Sequence, residues 1–161
     1  MKSINVLFVC TGNIFRSMSA EYCAKHVARS MDLQNIQFSS AGTSAELQNA
    51  HPKTLDMLNA FGIKDINHTQ RKLSKEIIKE NDIIIAMGED HKEFIKNKFG
   101  IDALLYNEVA LGDKSGILDI HEQYPDWFKE PEKAEIHIEN TLDHIYSTMP
   151  KFIENAQKLK E

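Results

Sequence analysis

The most constraining feature of this chain is the segment VLFVCTGNIFRSMSAEY, which begins at Val6 and joins an apolar run to a helix-like stretch. Ile4–Val9 is nearly continuous in apolar and β-branched residues, the pattern of a parallel strand buried on both faces. A short loop follows, in which Gly12 and Asn13 can take positive φ at low steric cost. A helix pattern then starts near Ser17, so its free N–H groups point back into the loop. The segment therefore predicts a cup of N–H donors at the carboxyl end of a first strand.

The residues inside this loop predict a cysteine phosphatase. A cup of N–H groups at a helix start binds a tetrahedral oxyanion. Arg16 at the rim can add two parallel charge-assisted bonds to phosphate oxygens. The same positive field favours the thiolate form of Cys10 over the thiol. A free cysteine is more often a small core residue, but Cys10 lies where the strand pattern stops and glycine begins, which favours a nucleophile beneath a bound phosphate.

The segment resembles the signature of the low-molecular-weight protein tyrosine phosphatases, written V-C-x-G-N-I-C-R-S-P-x-A-E. The positions that match are Cys10, Gly12, Asn13, Ile14, Arg16, Ser17, Ala20 and Glu21. Further matches are SSAGT from Ser39, H-x-x-R-x-L from His68 and DIIIAM from Asp82. The resemblance spans essentially the whole chain. It implies hydrolysis of phosphotyrosine, an aryl phosphate monoester, without a cofactor.

Three positions depart from the family pattern. Phe15 replaces the second cysteine, Met18 replaces the proline, and Gly88 stands where an aspartate commonly follows the methionine. An oxidised Cys10 then has no neighbouring thiol in the loop. Cys23 lies on the predicted helix about six residues, or roughly 9 Å, beyond its start. An arsenate reductase with this fold needs further cysteines as a relay, so the cysteine content argues against that activity.

Composition and length exclude several other classes. The 161 residues suit one domain, 1–161, large enough to bury about 70% of its unfolded surface. A net charge of −5 argues against a nucleic-acid binder. No apolar run approaches the ~20 residues that cross a bilayer, and no secretory signal pattern opens the chain. Two cysteines, one required as a thiolate, favour the reducing cytoplasm. The seven histidines show no metal-ligand spacing, so we expect no metal.

Strands alternate with helices along the chain, which predicts an α/β domain with a parallel sheet and helices on both faces. The predicted strands are Ile4–Val9, Ile36–Ser40, Asp82–Met87 and Ala103–Tyr106. The predicted helices are about Ser17–Ala28, His51–Phe61, Leu73–Lys79, Asp90–Lys98 and Glu132–Lys158. The segment Asp113–Pro131 is predicted to be a long ordered loop, a length that usually has a functional reason. The family resemblance implies a four-stranded sheet, the low-molecular-weight phosphotyrosine phosphatase fold.

Each residue of the loop then has an expected role. Cys10 would attack phosphorus in line and form a cysteinyl-phosphate intermediate. The phosphate oxygens would be held by backbone N–H groups and the guanidinium of the loop, which comprises Thr11, Gly12, Asn13, Ile14, Phe15 and Arg16. Ser17 can donate its hydroxyl to the Cys10 thiolate, cap the helix, or do both. The resemblance also implies a hydrogen-bond network through Asn13, Ser17, Ser40 and His68 that stiffens the loop.

The leaving group needs a proton donor, and the segment Asp113–Pro131 supplies the candidates. A carboxyl on such a loop can protonate the leaving oxygen and later activate water. The family carries Asp-Pro-aromatic here, and this chain breaks that pattern. Asp126 keeps an aromatic flank and is the first choice. Asp119 lies closer to the expected distance after the last strand and is the second, with Glu122 as the third.

Apolar residues around the loop predict a mouth that accepts an aryl group. The rim candidates are Phe15, Ile14, Leu47, Trp127 and Phe128. Trp127 can equally anchor its loop to the core. Arginine phosphatases of this family tend to carry threonine at the position of Ile14, so the resemblance favours phosphotyrosine in protein substrates. A silent phosphate-binding module would not need Cys10 beside Ser17. The oligomeric state stays open, with a monomer expected.

Overall fold

A four-stranded, all-parallel sheet forms the centre of the structure, as predicted. The computed structural model describes residues 2–64 and 66–161, so two positions of the predicted domain 1–161 lie outside the described residues. The strands are β1 (Ile4–Cys10), β2 (Ile36–Gly42), β3 (Ile83–Ala86) and β4 (Leu104–Leu105). Their order across the sheet is β2-β1-β3-β4, so β1 is a central strand. Cys10 pairs with Gly42 of β2 at the carboxyl end of this strand.

Seven α-helices and one 3-10 helix accompany the sheet in the described part of the chain. The α-helices are α1 (Arg16–Ser30), α2 (Pro52–Ala60), α3 (Lys75–Lys79), α4 (Glu89–Phe99), α5 (Tyr106–Leu111), α6 (Ile120–Gln123) and α7 (Pro131–Lys158). The 3-10 helix is Trp127–Lys129. None of these helices is both long and apolar enough to cross a membrane.

Side chains of β1 alternate between two hydrophobic cores, as a period-two strand requires. Val6 and Phe8 join the larger core with residues of α1, α5 and α7. Leu7 and Val9 join the smaller core with residues of α3 and α4. Helices therefore cover both faces of the sheet. A strand buried on both sides reads as a continuous apolar run, which is why β1 was evident in the sequence.

Two parts of the predicted organisation are wrong. The segment Asp113–Pro131 is not a loop throughout, because it contains α6 and the 3-10 helix. Helix α5 was not predicted, and it begins at Tyr106, the last residue assigned to a strand. Both α-helices are short, and in each a glutamate of the first turn accepts the backbone N–H of the N-cap residue: Glu108 from Leu105 in α5, and Glu122 from Asp119 in α6. Only in α6 does the N-cap side chain also accept a backbone N–H, because the leucine side chain has no polar atom. Such short elements carry little apolar periodicity.

Candidate active site

The loop between β1 and α1 places the thiol of Cys10 against the first turn of the helix. Cys10 ends β1 and is 3% exposed. Its Sγ atom lies 3.0 Å from the Ser17 hydroxyl oxygen and accepts the Ser17 backbone N–H at 3.4 Å. The residue that flanks the helix start is Phe15, with no side-chain cap, so Ser17 is not the N-cap. Its hydroxyl faces the sulfur instead.

Asn13 is the centre of the network that supports this loop. It is fully buried and has a φ of 54°, the left-handed conformation that asparagine tolerates better than most residues. Its Nδ2 donates to Ser17 Oγ at 2.9 Å and to Ser40 Oγ at 2.8 Å. The His68 ring contacts its carbonyl oxygen through Nε2 at 2.8 Å. Because Ser17 Oγ accepts from Asn13, the hydroxyl proton of Ser17 is available to the Cys10 sulfur.

Two further members of this network, Arg71 and Glu21, were not predicted from the sequence. Arg71 donates its backbone N–H to Asn13 Oδ1 at 2.9 Å and its Nε–H to the Ser40 carbonyl at 3.1 Å. Glu21 accepts the Ser40 hydroxyl through Oε1 at 2.6 Å. Both residues belong to motifs that match the family pattern: Glu21 ends the A-E pair after the loop, and Arg71 is the arginine of the H-x-x-R motif that begins at His68. These motifs could therefore have indicated that the two residues contact the loop network.

A tight backbone approach explains why β2 ends in glycine. A Cβ atom on Gly42 would lie 2.5 Å from the Thr11 carbonyl oxygen and 3.0 Å from the Asn13 backbone nitrogen. Thr43 and Ser44 donate their N–H groups to the carbonyls of Cys10 and Thr11, each at 2.9 Å. The loop is thus fixed on this side by backbone contacts that need a residue without a side chain.

His91 supports the loop from the opposite side and was not identified from the sequence. It is 1% exposed, and its Nδ1 accepts the Gly88 N–H at 3.0 Å. Nε2 therefore carries the ring proton and donates to Thr11 Oγ1 at 2.9 Å. Burial first, and the Arg16 guanidinium second, lower the pKa of His91 to about 4. The ring is accordingly neutral at physiological pH.

Gly88, one of the three departures from the family pattern, lies at a close backbone contact. A Cβ on Gly116 would lie 3.0 Å from Gly88 Cα, and the Ile117 N–H bonds the Met87 carbonyl at 2.8 Å. A Cβ on Gly88 would itself lie 3.2 Å from the His91 ring. The absence of a side chain at Gly116 lets the segment after α5 pack directly on Gly88 at the end of β3, beside the loop, whereas the absence of a side chain at Gly88 leaves room for the His91 ring.

The guanidinium of Arg16 is buried between the loop and this segment. The residue is 2% exposed, and Nη1 donates to the Ile117 carbonyl at 2.8 Å. Nη2 lies 3.4 Å from Asp119 Oδ2, and Nη1 lies 3.7 Å from Glu122 Oε1. Two carboxylates of α6 and its N-cap therefore surround the arginine that the sequence assigned to phosphate.

An open cavity of about 460 Å³ lies over the loop. Its lining comprises Cys10, Thr11, Gly12, Ile14, Phe15, Arg16, Ser44, Gln48, Asn49, His51, Thr54, Asp119, Ile120, His121 and Trp127. A larger cavity, of about 610 Å³, is lined by residues near the two chain ends together with Asn35 and Asp82, and it includes none of the loop. The chemistry-bearing residues therefore converge on the smaller cavity.

The structure brings together some of the predicted proton donors and rim residues and separates others. Asp119 and Trp127 line the cavity over the loop. Asp126, Phe128 and Leu47 are exposed and do not line it, with Phe128 65% and Leu47 82% exposed. The residues described show no group of three or more histidines, cysteines and carboxylates that could hold a metal ion.

Comparison with known proteins identifies the family. The sequence pattern described as "Low molecular weight phosphotyrosine protein phosphatase" matches residues 5–160. The chain therefore belongs to the low molecular weight phosphotyrosine protein phosphatase family, whose members are cysteine-dependent phosphoric monoester hydrolases that act on phosphoproteins.

Individual relatives carry three different names. A protein-arginine-phosphatase of Bacillus subtilis is 35% identical over 120 residues, 72% of this chain and 79% of the relative. An arsenate reductase of Staphylococcus aureus is 32% identical over 90 residues, 56% of this chain and 64% of the relative. The solution structure of a low molecular weight protein tyrosine phosphatase from Bacillus subtilis is 25% identical, with a TM-score of 0.80, and the match covers 98% of this chain and 100% of that one.

Proposed function

We propose that this chain is a protein tyrosine phosphatase that hydrolyses phosphotyrosine through a cysteinyl-phosphate intermediate. The observation that carries the proposal is the position of the Cys10 sulfur in the cavity, 3.0 Å from the Ser17 hydroxyl and 3.4 Å from the Ser17 N–H. Both groups can donate a hydrogen bond to the sulfur, which in its thiolate form is the nucleophile of this chemistry. Membership of the family supports the same chemistry.

In the first step the Cys10 thiolate attacks phosphorus, an S–P bond forms and the P–O bond to the leaving group breaks. The loop N–H groups and Arg16 hold the equatorial oxygens as charge redistributes. Asp119 gives its proton to the leaving oxygen. In the second step the Asp119 carboxylate takes a proton from water, which attacks phosphorus. The S–P bond breaks, and the Ser17 hydroxyl stabilises the departing thiolate.

We assign the proton donor to Asp119, the second choice from sequence, in place of Asp126. Asp119 lines the cavity that contains Cys10, and its Oδ2 lies 3.4 Å from the arginine of the loop. Asp126 is exposed and flanks the 3-10 helix outside that lining. A proton donor has to reach the substrate oxygen within hydrogen-bond distance, so the position in the cavity is the stronger argument.

Phosphotyrosine is the preferred substrate, and phosphoarginine is the second candidate. Ile14 and Trp127 give the cavity apolar walls that suit a flat ring. The 35% identity to a protein-arginine-phosphatase favours the alternative. Arsenate reduction is not proposed, because Cys23 is fully buried in the core and burial raises the pKa of its thiol to about 12. The proposed setting is the cytoplasm, with phosphoproteins as substrates and a monomeric enzyme.

A substrate panel tests this assignment. Phosphotyrosine, phosphoserine and phosphoarginine peptides are compared on the wild-type protein and on Trp127→Ala. We expect phosphotyrosine peptides to be cleaved well and phosphoserine peptides to be nearly inert. Trp127→Ala is expected to weaken the binding of aryl substrates more than it weakens the binding of inorganic phosphate as an inhibitor. Equal efficiency on phosphoserine, or a preference for phosphoarginine, would contradict the tyrosine assignment and leave the phosphatase chemistry standing.

A further inference from the structure

Glu122 makes two contacts through a single oxygen atom. Its Oε1 accepts the backbone N–H of Asp119 at 2.9 Å and lies 3.7 Å from Arg16 Nη1. The side chain of Glu122 is 37% exposed, whereas Arg16 is 2% exposed. The carboxylate thus links the proposed proton donor to the phosphate-binding arginine at the edge of the cavity.

The contact with Asp119 fixes the start of α6. Asp119 is the N-cap of this four-residue helix, and its own Oδ1 accepts the Ile120 N–H at 2.8 Å. Glu122 closes the reciprocal half of the capping box. A helix of this length has little stability of its own. The orientation of the Asp119 carboxyl toward Arg16 therefore depends on the Glu122 acceptor.

The contact with Arg16 has a different consequence. Phosphate needs the same guanidinium donors, and Arg16 Nη1 is already shared between the Ile117 carbonyl and Glu122. A carboxylate beside a dianion repels it, and this repulsion acts on the free phosphate left after turnover as well as on the substrate. The charge of Glu122 therefore weakens the hold of the site on the released product.

We propose that Glu122 is a positioning residue that orients the proton donor Asp119 through its oxygen and promotes release of inorganic phosphate through its charge. The inference rests on the proposed function. The two effects depend on different properties of one side chain, so two substitutions separate them. Glu122→Gln keeps an oxygen acceptor and loses the charge, whereas Glu122→Ala loses both.

Two measurements on the full chain test the proposal. Inorganic phosphate binding, measured by calorimetry without turnover, is expected to tighten roughly 2- to 5-fold in both variants, the upper range of one charge at a partly exposed site. The kcat for a phosphotyrosine peptide is expected to fall about 10-fold or more in Glu122→Ala and to be restored in Glu122→Gln. Glu135→Gln, which removes an exposed charge from α7, is the control for net charge and is expected to match the wild type.

The outcomes separate this proposal from the proposed function. Unchanged phosphate affinity in Glu122→Gln would overturn the role in product release. Equal kcat in Glu122→Ala and the wild type, with both variants folded by thermal unfolding, would overturn the positioning role, as would a Gln variant as slow as the Ala variant. A wild-type protein that binds phosphate but hydrolyses no phosphomonoester would refute the proposed function, while the phosphate-affinity comparison would still decide the effect of the charge.

Discussion

The Ser17 hydroxyl oxygen lies 3.0 Å from the Cys10 sulfur while it accepts a hydrogen bond from Asn13 at 2.9 Å. The amide donor of Asn13 occupies an acceptor position of that oxygen, so the hydroxyl proton can be directed to the sulfur. This relationship gives the loop a donor aimed at the charge that forms whenever the S–P bond breaks. The Asn13 that makes this contact is buried in the left-handed conformation, which asparagine tolerates better than most residues.

Ser17→Ala is expected to slow breakdown of the cysteinyl-phosphate. A hydrogen bond to a charged group contributes about 1.5–3 kcal/mol, so kcat should fall roughly 10- to 100-fold. Pre-steady-state kinetics with an aryl phosphate would show a larger burst of released phenol followed by a slower steady state. A loss confined to the burst rate, with an unchanged steady state, would contradict the role in the second step.

Asp119→Ala is expected to slow phosphotyrosine hydrolysis by roughly 10²- to 10⁴-fold, the usual contribution of a positioned proton donor. The effect should be much smaller for an aryl phosphate whose leaving group needs no protonation. Comparison of kcat for the two substrates measures this difference. Asp126→Ala is the matched variant from the same segment. If Asp126→Ala shows the substrate-dependent loss and Asp119→Ala does not, the assignment of the donor is wrong.

The sequence predicted the loop well because the loop is local. Cys10, Asn13, Arg16 and Ser17 lie within eight consecutive positions, and strand and helix patterns on either side fix their arrangement. Apolar runs also marked the strands, and the family resemblance implied that four of them form the sheet. These features need no knowledge of distant contacts.

The position of the proposed proton donor depends on distant contacts, and the sequence ranked Asp119 second for that reason. Asp119 reaches Arg16 because Gly116 packs on Gly88 and because α6 begins at Asp119. Neither the glycine contact nor a four-residue helix produces a periodic pattern of apolar residues in the sequence. His91 was missed on the same grounds, since its partner Thr11 is 80 residues away. An aromatic flank pointed to Asp126, yet local composition does not report which face of a segment meets the site.

Stability should depend on pH through His91. Its pKa is lowered from 6.5 to about 4, so between these values the unfolded chain binds more protons than the folded protein. The free energy of unfolding therefore rises with pH over this window, and stability is lost as pH falls from about 6.5 towards 4. When the free energy of unfolding is measured with urea across that pH range, it should change less steeply with pH in His91→Gln than in the wild type. Burial also lowers the pKa of His137 and His144, so part of the slope should remain. An unchanged slope would contradict the neutral, buried assignment.

Mild peroxide is expected to oxidise Cys10 past the sulfenic acid. Phe15 takes the place of a second loop thiol, and Cys23 is buried in the core with the pKa of its thiol raised to about 12. Without a resolving thiolate, the sulfenic acid should proceed to sulfinic acid. Mass spectrometry after limited treatment measures the products, and activity that a thiol cannot restore should accompany them. A Cys10–Cys23 disulfide that a thiol reverses would contradict this expectation.

The central claim is that Cys10 carries the phosphoryl group during turnover. Rapid acid quenching of the wild-type protein with a phosphotyrosine peptide, followed by peptide mass spectrometry, measures this directly. The account predicts one phosphoryl group on Cys10 in the wild type. Cys10→Ser should show no turnover while still binding inorganic phosphate or vanadate. Appreciable metal-free turnover by Cys10→Ser, or a wild-type enzyme that turns over with no phosphorylated Cys10 at any quench time, would contradict the covalent mechanism.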